Sequence, residues 1–262
     1  MSGIRSKNRL AGAIALGVGL LAGMASGAAF GARFGTACQE EYQNNWQNEL
    51  HYQWERCSAF NSELDDTDTK VFYYNLHGAK WWWENGGDQL APELVALFYA
   101  GTHGGAWGTK SVWAMWDQNQ LADSSNMRLG DEANQLSLFF TYACETMKFS
   151  DGKLWTRMGP IMRGGVRFAG GSHGTLWDGI TTDETGEDFA DNLQHGHTLK
   201  YSWKDGNSDW ATEQDVAVMA TGTNSANCAA RRDNMTWQNH GTYPRLRDGQ
   251  IGYYCYTYWT NL

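Results

Sequence analysis

Leu94–Ala100 (LVALFYA) runs into Gly101-Thr102-His103-Gly104-Gly105, and Leu136–Ala143 (LSLFFTYA) runs into Cys144-Glu145. Short apolar runs of this kind, rich in aromatics and bounded by turn-forming residues, read as strands buried on both faces. Parallel strands deliver their last residues to one edge of the sheet, the edge where ligands bind. Two such neighbours would set the His103 imidazole beside the Cys144 thiol, although the two lie far apart in the chain. A Cys–His pair assembled by the fold is the minimal equipment of a thiol nucleophile.

The flanking sequence extends the pattern. Gly165–Gly170 reads as a third strand, ending in Gly171-Ser172-His173-Gly174. Leu154–Met162 and Thr185–Gln194 read as helices, the second with an acidic first turn. Val216–Met219 and Ile251–Trp259 read as strands around a cysteine-bearing loop. Nearer the N-terminus, Tyr42, Trp46 and Leu50 at helical spacing predict a helix, followed by a strand over Leu50–Phe60. Asp65–Asp68 reads as a loop and N-cap leading into Lys70–Leu76, Trp81–Trp83 as a short strand, and Gly86–Glu93 as a turn with a short helix. Lys110–Gln120 is expected to be a helix or covering loop, and Gly130–Asn134 a polar connection. Strands alternating with helices predict an α/β fold, a mostly parallel sheet with helices on both faces and a C-terminal β-rich elaboration.

Composition narrows the class. Charged residues are 19% and aromatics 14% of 262 residues, the profile of an aromatic-packed globular chain. A net charge of −9 argues against a nucleic-acid or anionic-membrane surface. Arg5, Lys7 and Arg9 precede an apolar Leu10–Leu21 and a small-residue zone at Gly23–Ala29, the layout of a cleaved export signal over 1–29. The mature part, 30–262, then reads as one domain, with a core at 65–205 and the elaboration at 206–262, and carries a charge near −12. Its expected location is secreted, periplasmic or cell-surface, with no membrane contact once the signal is removed.

Export exposes cysteines to oxidising conditions. Of five, Cys38, Cys57, Cys228 and Cys255 flank the chain and Cys144 stands alone at a strand end. Two disulfides with Cys144 free is the economical reading. Cys228 with Cys255 is the easier local pair. Cys38 with Cys57 requires that the intervening chain not be one continuous helix, which would separate them by ~28 Å. Five reduced thiols, or a bridge between two molecules, are the alternatives.

An apolar strand ending in His-Gly, followed by one ending in Ala-Cys, resembles the caspase-like (clan CD) cysteine peptidases, among them caspases, legumains, gingipains and separases. Tyr142-Ala143-Cys144-Glu145-Thr146 looks most like the Glu-Ala-Cys-Glu-Ser stretch of legumains, and Gly164–Trp203 is similar to the segment that follows it there. The chain is also similar to a family of exported bacterial proteins, known as a domain of unknown function, with the same layout. The resemblance spans roughly 65–205. It implies Cys144 as nucleophile, His103 as general acid/base, and the backbone N–H groups of Gly104 and Cys144 as the oxyanion hole. Glycine at 104 suits that role, since no side chain screens its N–H. One position departs: the acidic residue two before the cysteine of legumains is Tyr142 here, so no substrate pocket transfers.

Other residues compete for the cleft. His173, also at a strand end, Tyr142, Asp178 and Glu145 are possible lining residues. His195-Gly196-His197 lacks further metal ligands nearby, and the acidic groups Asp65/Asp66/Asp68 and Asp183/Glu184/Glu187/Asp188 match no calcium loop, so no metal or other cofactor is expected. Fourteen Trp, including Trp81-Trp82-Trp83, Trp107, Trp113 and Trp116, suggest an aromatic platform. The chain therefore reads as an exported cysteine endopeptidase acting on peptides or proteins. The alternatives are a non-catalytic binding protein for polysaccharide or peptide on the same fold, and an acyl or peptide ligase using the same pair.

Overall fold

Seven strands form the central sheet of the computed structural model, in the order β10-β9-β8-β7-β3-β1-β2. They are β1 (Arg33–Cys38), β2 (Thr69–Asn75), β3 (Leu97–Gly101), β7 (Leu138–Tyr142), β8 (Phe168–Ser172), β9 (Val216–Gly222) and β10 (Tyr253–Trp259). The pairs β1–β2, β1–β3, β3–β7 and β7–β8 are parallel; β9 alone runs against the others. A small antiparallel sheet, β4 (Gly104–Trp107), β5 (Lys110–Ala114) and β6 (Leu121–Asp123), is inserted between β3 and β7. The residues described are 33–42, 49–65, 68–75, 80–85, 87–88, 92–116, 120–132, 135–179, 182, 184–208 and 214–262, all within one compact unit, Gly31–Leu262. The expected signal at 1–29 and the residues Trp46, Asp66 and Asp183 lie outside them. Among the described residues no helix is long and apolar enough to cross a membrane.

Every residue of β3 and of β7 is buried, as two-faced strands require. Leu97, Tyr99, Leu138, Phe140 and Tyr142 point to one face, where α1 (Gln53–Asp65), α3 (Thr185–Gln194), α4 (Leu199–Asp205) and α5 (Ser225–Asn234) cover them with Phe60, Phe189, Trp203 and Cys228. Phe98, Ala100 and Phe139 point to the other, under α2 (Leu154–Met162) and Trp113 of β5. Helices on both faces of a mostly parallel sheet are thus observed, and the C-terminal elaboration takes the form of two strands on the edge of that same sheet.

Several local expectations are corrected. Leu50–Phe60 is not a strand: Cys57, Phe60 and Leu64 bury one helical stripe of α1, and the strand here is β1, which precedes it. The segment from Lys70 needs no N-cap, because residues 70–75 lie in strand β2; Leu76 is outside the described residues. Trp81–Trp83 is no strand; Lys80–Trp82 makes a 3₁₀ turn that drops Trp83 onto Phe98 and Trp113. Lys110–Gln120 begins as strand β5 rather than helix or loop, because Gly108, at φ +57°, closes a two-residue hairpin between Trp107 and Lys110. Cys228 lies on helix α5, capped by the Asn224 side chain, and not in a loop.

Both expected disulfides are present. Cys38, ending β1, joins Cys57 on α1, and Cys228 joins Cys255 on β10. Cys144 is the free cysteine. Closing loops of 19 and 27 residues contributes about 3 kcal/mol each in the chain-entropy account. Cys57→Ala and Cys255→Ala should each lower the urea midpoint measured by Trp fluorescence, and reductant should move the wild type in the same direction. Midpoints indifferent to both would show that the bridges are not stabilising.

Candidate active site

The His103 and Cys144 segments meet at the carboxyl edge of the sheet. Gly101 pairs with Tyr142, and Thr102 N–H donates to the Tyr142 carbonyl at 3.2 Å, so each chain leaves its strand at the same level. The next step brings Gly104 onto the cysteine: a Cβ there would lie 2.7 Å from the Cys144 carbonyl oxygen and 2.8 Å from Ala143 Cβ. Gly104 faces Trp113 across the β4–β5 ladder, whose bond here is Ala114 N–H to the His103 carbonyl. That bond makes Gly104 and Trp113 a non-hydrogen-bonded pair, so the Gly104 N–H points away from β5. Only glycine allows this approach.

A cavity of about 250 Å³ opens here, lined by Leu50, Gln53, Thr102, His103, Tyr142, Ala143, Cys144, Thr175, Leu176, Trp177 and Asp178. It lies beside the β1–β3 boundary, where the strand order reverses, the usual crevice of an open α/β sheet. His103, Cys144, Tyr142 and Asp178, all anticipated from sequence, line it together. His173 does not, and this corrects its place: its N–H is taken by the Asp215 carbonyl, and its ring bonds the Trp259 carbonyl between Phe149 and Tyr258, on the β9–β10 side. Glu145 is also outside the lining; it turns at φ +52° and pairs with Lys148. Leu50, Gln53 and Leu176 also line the cavity, and no local pattern marks them for that place.

The sulfur is half-buried and engaged. Its thiol lies 3.5 Å from the Leu176 carbonyl, and the Leu176 N–H is 3.4 Å from it. Burial pushes the Cys144 thiol up; the Leu176 N–H opposes this, while the carboxylates of Glu145 and Asp178 add to it. Asp178 forms the acidic side of the cavity. It accepts the N–H groups of His51 and Tyr52 ahead of α1 and pairs with Arg56 at 3.3 Å. The Arg56 guanidinium stacks on the Tyr142 ring, 3.8 Å from its centroid, and Tyr142 donates its hydroxyl to the Trp177 carbonyl.

Away from this edge, Asp88, Glu93 and Glu132 bring carboxylate oxygens within 4.8 Å of one another, a grouping with metal-like spacing that the sequence did not suggest. Glu93 is occupied with the N–H groups of Gly130 and Asp131. His195 pairs with Asp191, and His197 packs on Tyr201. Exposed aromatics include Trp107, Trp155 and Trp177, whereas Trp113 is fully buried.

Comparison with known proteins gives three findings. A model of the domain of unknown function DUF6345 matches residues 38–260. No curated protein matches the chain in sequence. Among solved structures, the chain is similar to the Drosophila initiator caspase Dronc, at 11% identity and a TM-score of 0.44 over 67% of this chain and 70% of that one. It is also similar to caspase-1 of Spodoptera frugiperda, at 12% identity and a TM-score of 0.45 over 87% and 86%.

Two substitutions test the site's geometry and electrostatics. Gly104→Ala should lower stability by ~1–3 kcal/mol through overpacking against the Cys144 backbone, read as a fall in melting temperature; an unchanged value would mean the contact is slack. Glu145→Gln removes a negative charge near the sulfur and eases thiolate formation. The pH midpoint of Cys144 alkylation should therefore move down, and an upward move would reverse the assigned sign.

Proposed function

The chain belongs to the DUF6345 family, and from that premise we propose that it is an exported cysteine endopeptidase with Cys144 as nucleophile and His103 as general acid/base. The observation that carries this reading is the shared cavity: the free thiol and an imidazole end adjacent parallel strands and line one crevice. The Cys144 thiolate attacks a peptide carbonyl carbon, and the N–H groups of Gly104 and Cys144 receive the oxyanion. His103 protonates the departing amine, and water then hydrolyses the thioester. The resting thiol is pushed up by burial, so His103 first takes the thiol proton and then passes it to the departing amine.

The cavity beside Cys144 suits a cationic or carboxamide side chain before the cut. Asp178 on its wall is already paired with Arg56, so the preference rests on the acidity of the chain as a whole, which steers cations within the ~8–10 Å that salt screening allows. The same field disfavours a carboxylate side chain.

The second reading, a binding protein for polysaccharide or peptide, is favoured by two observations: the raised resting thiol and the exposed Trp107 and Trp177, the latter on the cavity wall. Iodoacetamide separates the two. A catalytic Cys144 alkylates quickly and loses that rate in His103→Ala; slow labelling that ignores His103 supports the binding protein. Fluorogenic substrates with Arg, Lys, Asn or Asp before the cut should be hydrolysed in the first three cases and not the fourth, with all activity lost in Cys144→Ala. Preference for Asp would overturn the electrostatic argument. Silence across the panel would move the assignment to the binding protein.

A further inference from the structure

The backbone of His103 is held by a closed circuit of hydrogen bonds. Its N–H donates to the Tyr42 hydroxyl oxygen at 3.1 Å. The Tyr42 and Thr102 hydroxyl oxygens are 2.8 Å apart. Thr102 Oγ1 lies 2.6 Å from the Ala114 carbonyl oxygen, and the Ala114 N–H donates to the His103 carbonyl at 2.9 Å. A carbonyl only accepts, so the single hydroxyl proton of Thr102 goes to Ala114, and Thr102 must accept from Tyr42. The Gln39 carbonyl, at 3.3 Å, is the weaker claimant on that Tyr42 proton. Every donor in the circuit is then used once, from His103 through Tyr42, Thr102 and Ala114 back to His103.

The circuit is dry. Tyr42 is 4% exposed and Thr102 2%, so water does not compete for either hydroxyl. Burial also pushes the Tyr42 phenol well up, which keeps its proton in place throughout the neutral range. The same side chain reaches the imidazole directly: the two ring centroids are 5.1 Å apart, tilted by 36°.

We propose that Tyr42 is the positioning residue of His103, fixing the histidine backbone through its hydroxyl and the imidazole through its ring face. The assignment rests on the thiol–imidazole reading above and adds to it the group that aims the acid/base. Tyr42 does not itself line the cavity; it reaches it through its contacts with Thr102 and His103, so its effect on catalysis passes through them.

Three variants divide the device. Tyr42→Phe keeps the ring and removes the hydroxyl. Thr102→Val breaks the circuit and leaves Tyr42 whole. Thr102→Ser keeps the hydroxyl and serves as the rescue. The His103 imidazole is followed by ¹⁵N NMR titration of the full chain, and Cys144 by its alkylation rate against pH and by hydrolysis of the best substrate. Tyr42→Phe and Thr102→Val should shift the His103 titration and tautomer signals and reduce kcat by about tenfold to a hundredfold with little change in KM, as expected for a displaced catalytic group. Thr102→Ser should match the wild type. A merely structural role would lower the melting temperature and leave the His103 titration and the alkylation profile unchanged, and that result overturns the proposal. Should Tyr42→Phe fail to fold, Thr102→Val reads the same circuit. If wild-type Cys144 labels slowly and ignores His103→Ala, the peptidase reading falls, while the His103 titration in the variants still decides the role of Tyr42.

Discussion

Arg56 carries its charge into a side chain with no solvent exposure, and the carboxyl edge of the sheet is arranged around making that tolerable. An isolated guanidinium buried in this way would cost several kcal/mol. Here Asp178 neutralises it, the carbonyl and hydroxyl of Thr182 and the hydroxyl of Thr185 accept its protons, and the Tyr142 ring takes its flat face. Those partners come from the end of β7, the loop after β8 and the start of α3. One side chain on α1 thus fixes three other segments, and the loop it fixes is the one that carries Leu176 to the cysteine.

The dependence runs both ways. Asp178 accepts the His51 and Tyr52 N–H groups just ahead of α1, while α1 presents Arg56 to hold Asp178. The Cys38–Cys57 bridge adds a covalent tie from β1 to the same helix. Tyr142 is accounted for by packing: its ring supports Arg56 and its hydroxyl holds the Trp177 carbonyl. The carboxylate beside it comes from Asp178, on the loop after β8.

This arrangement explains which parts of the molecule the sequence discloses. β3, β7, α2 and α3 are legible because their signals are local: apolar runs buried on both faces, and helical stripes. His103 and Cys144 follow from them, since a strand's end is visible wherever its strand is. α1 is misread because the N–H groups just ahead of it are taken by Asp178, 127 residues beyond His51, and its Trp54 N–H by the Glu40 side chain. β5 is misread because its turn rests on Gly108, while Trp113 buries against Trp83 and Phe139 from a separate layer. Tyr42 carries no local mark of its role. Its partners Thr102 and His103 become its neighbours only once β1 is laid beside β3.

The Cys144 thiol and the His103 backbone are held in different ways. Cys144 Sγ satisfies its weak donor and acceptor on the two backbone groups of Leu176, and two carboxylates and burial all favour the neutral thiol. The His103 circuit, by contrast, closes on itself through side-chain hydroxyls and backbone groups. His103 is therefore held from several directions, while the Cys144 sulfur is held by one residue of the loop after β8. The asymmetry leaves the histidine fixed by hydroxyl and backbone groups on three separate segments, and leaves the sulfur dependent on the position of Leu176 alone.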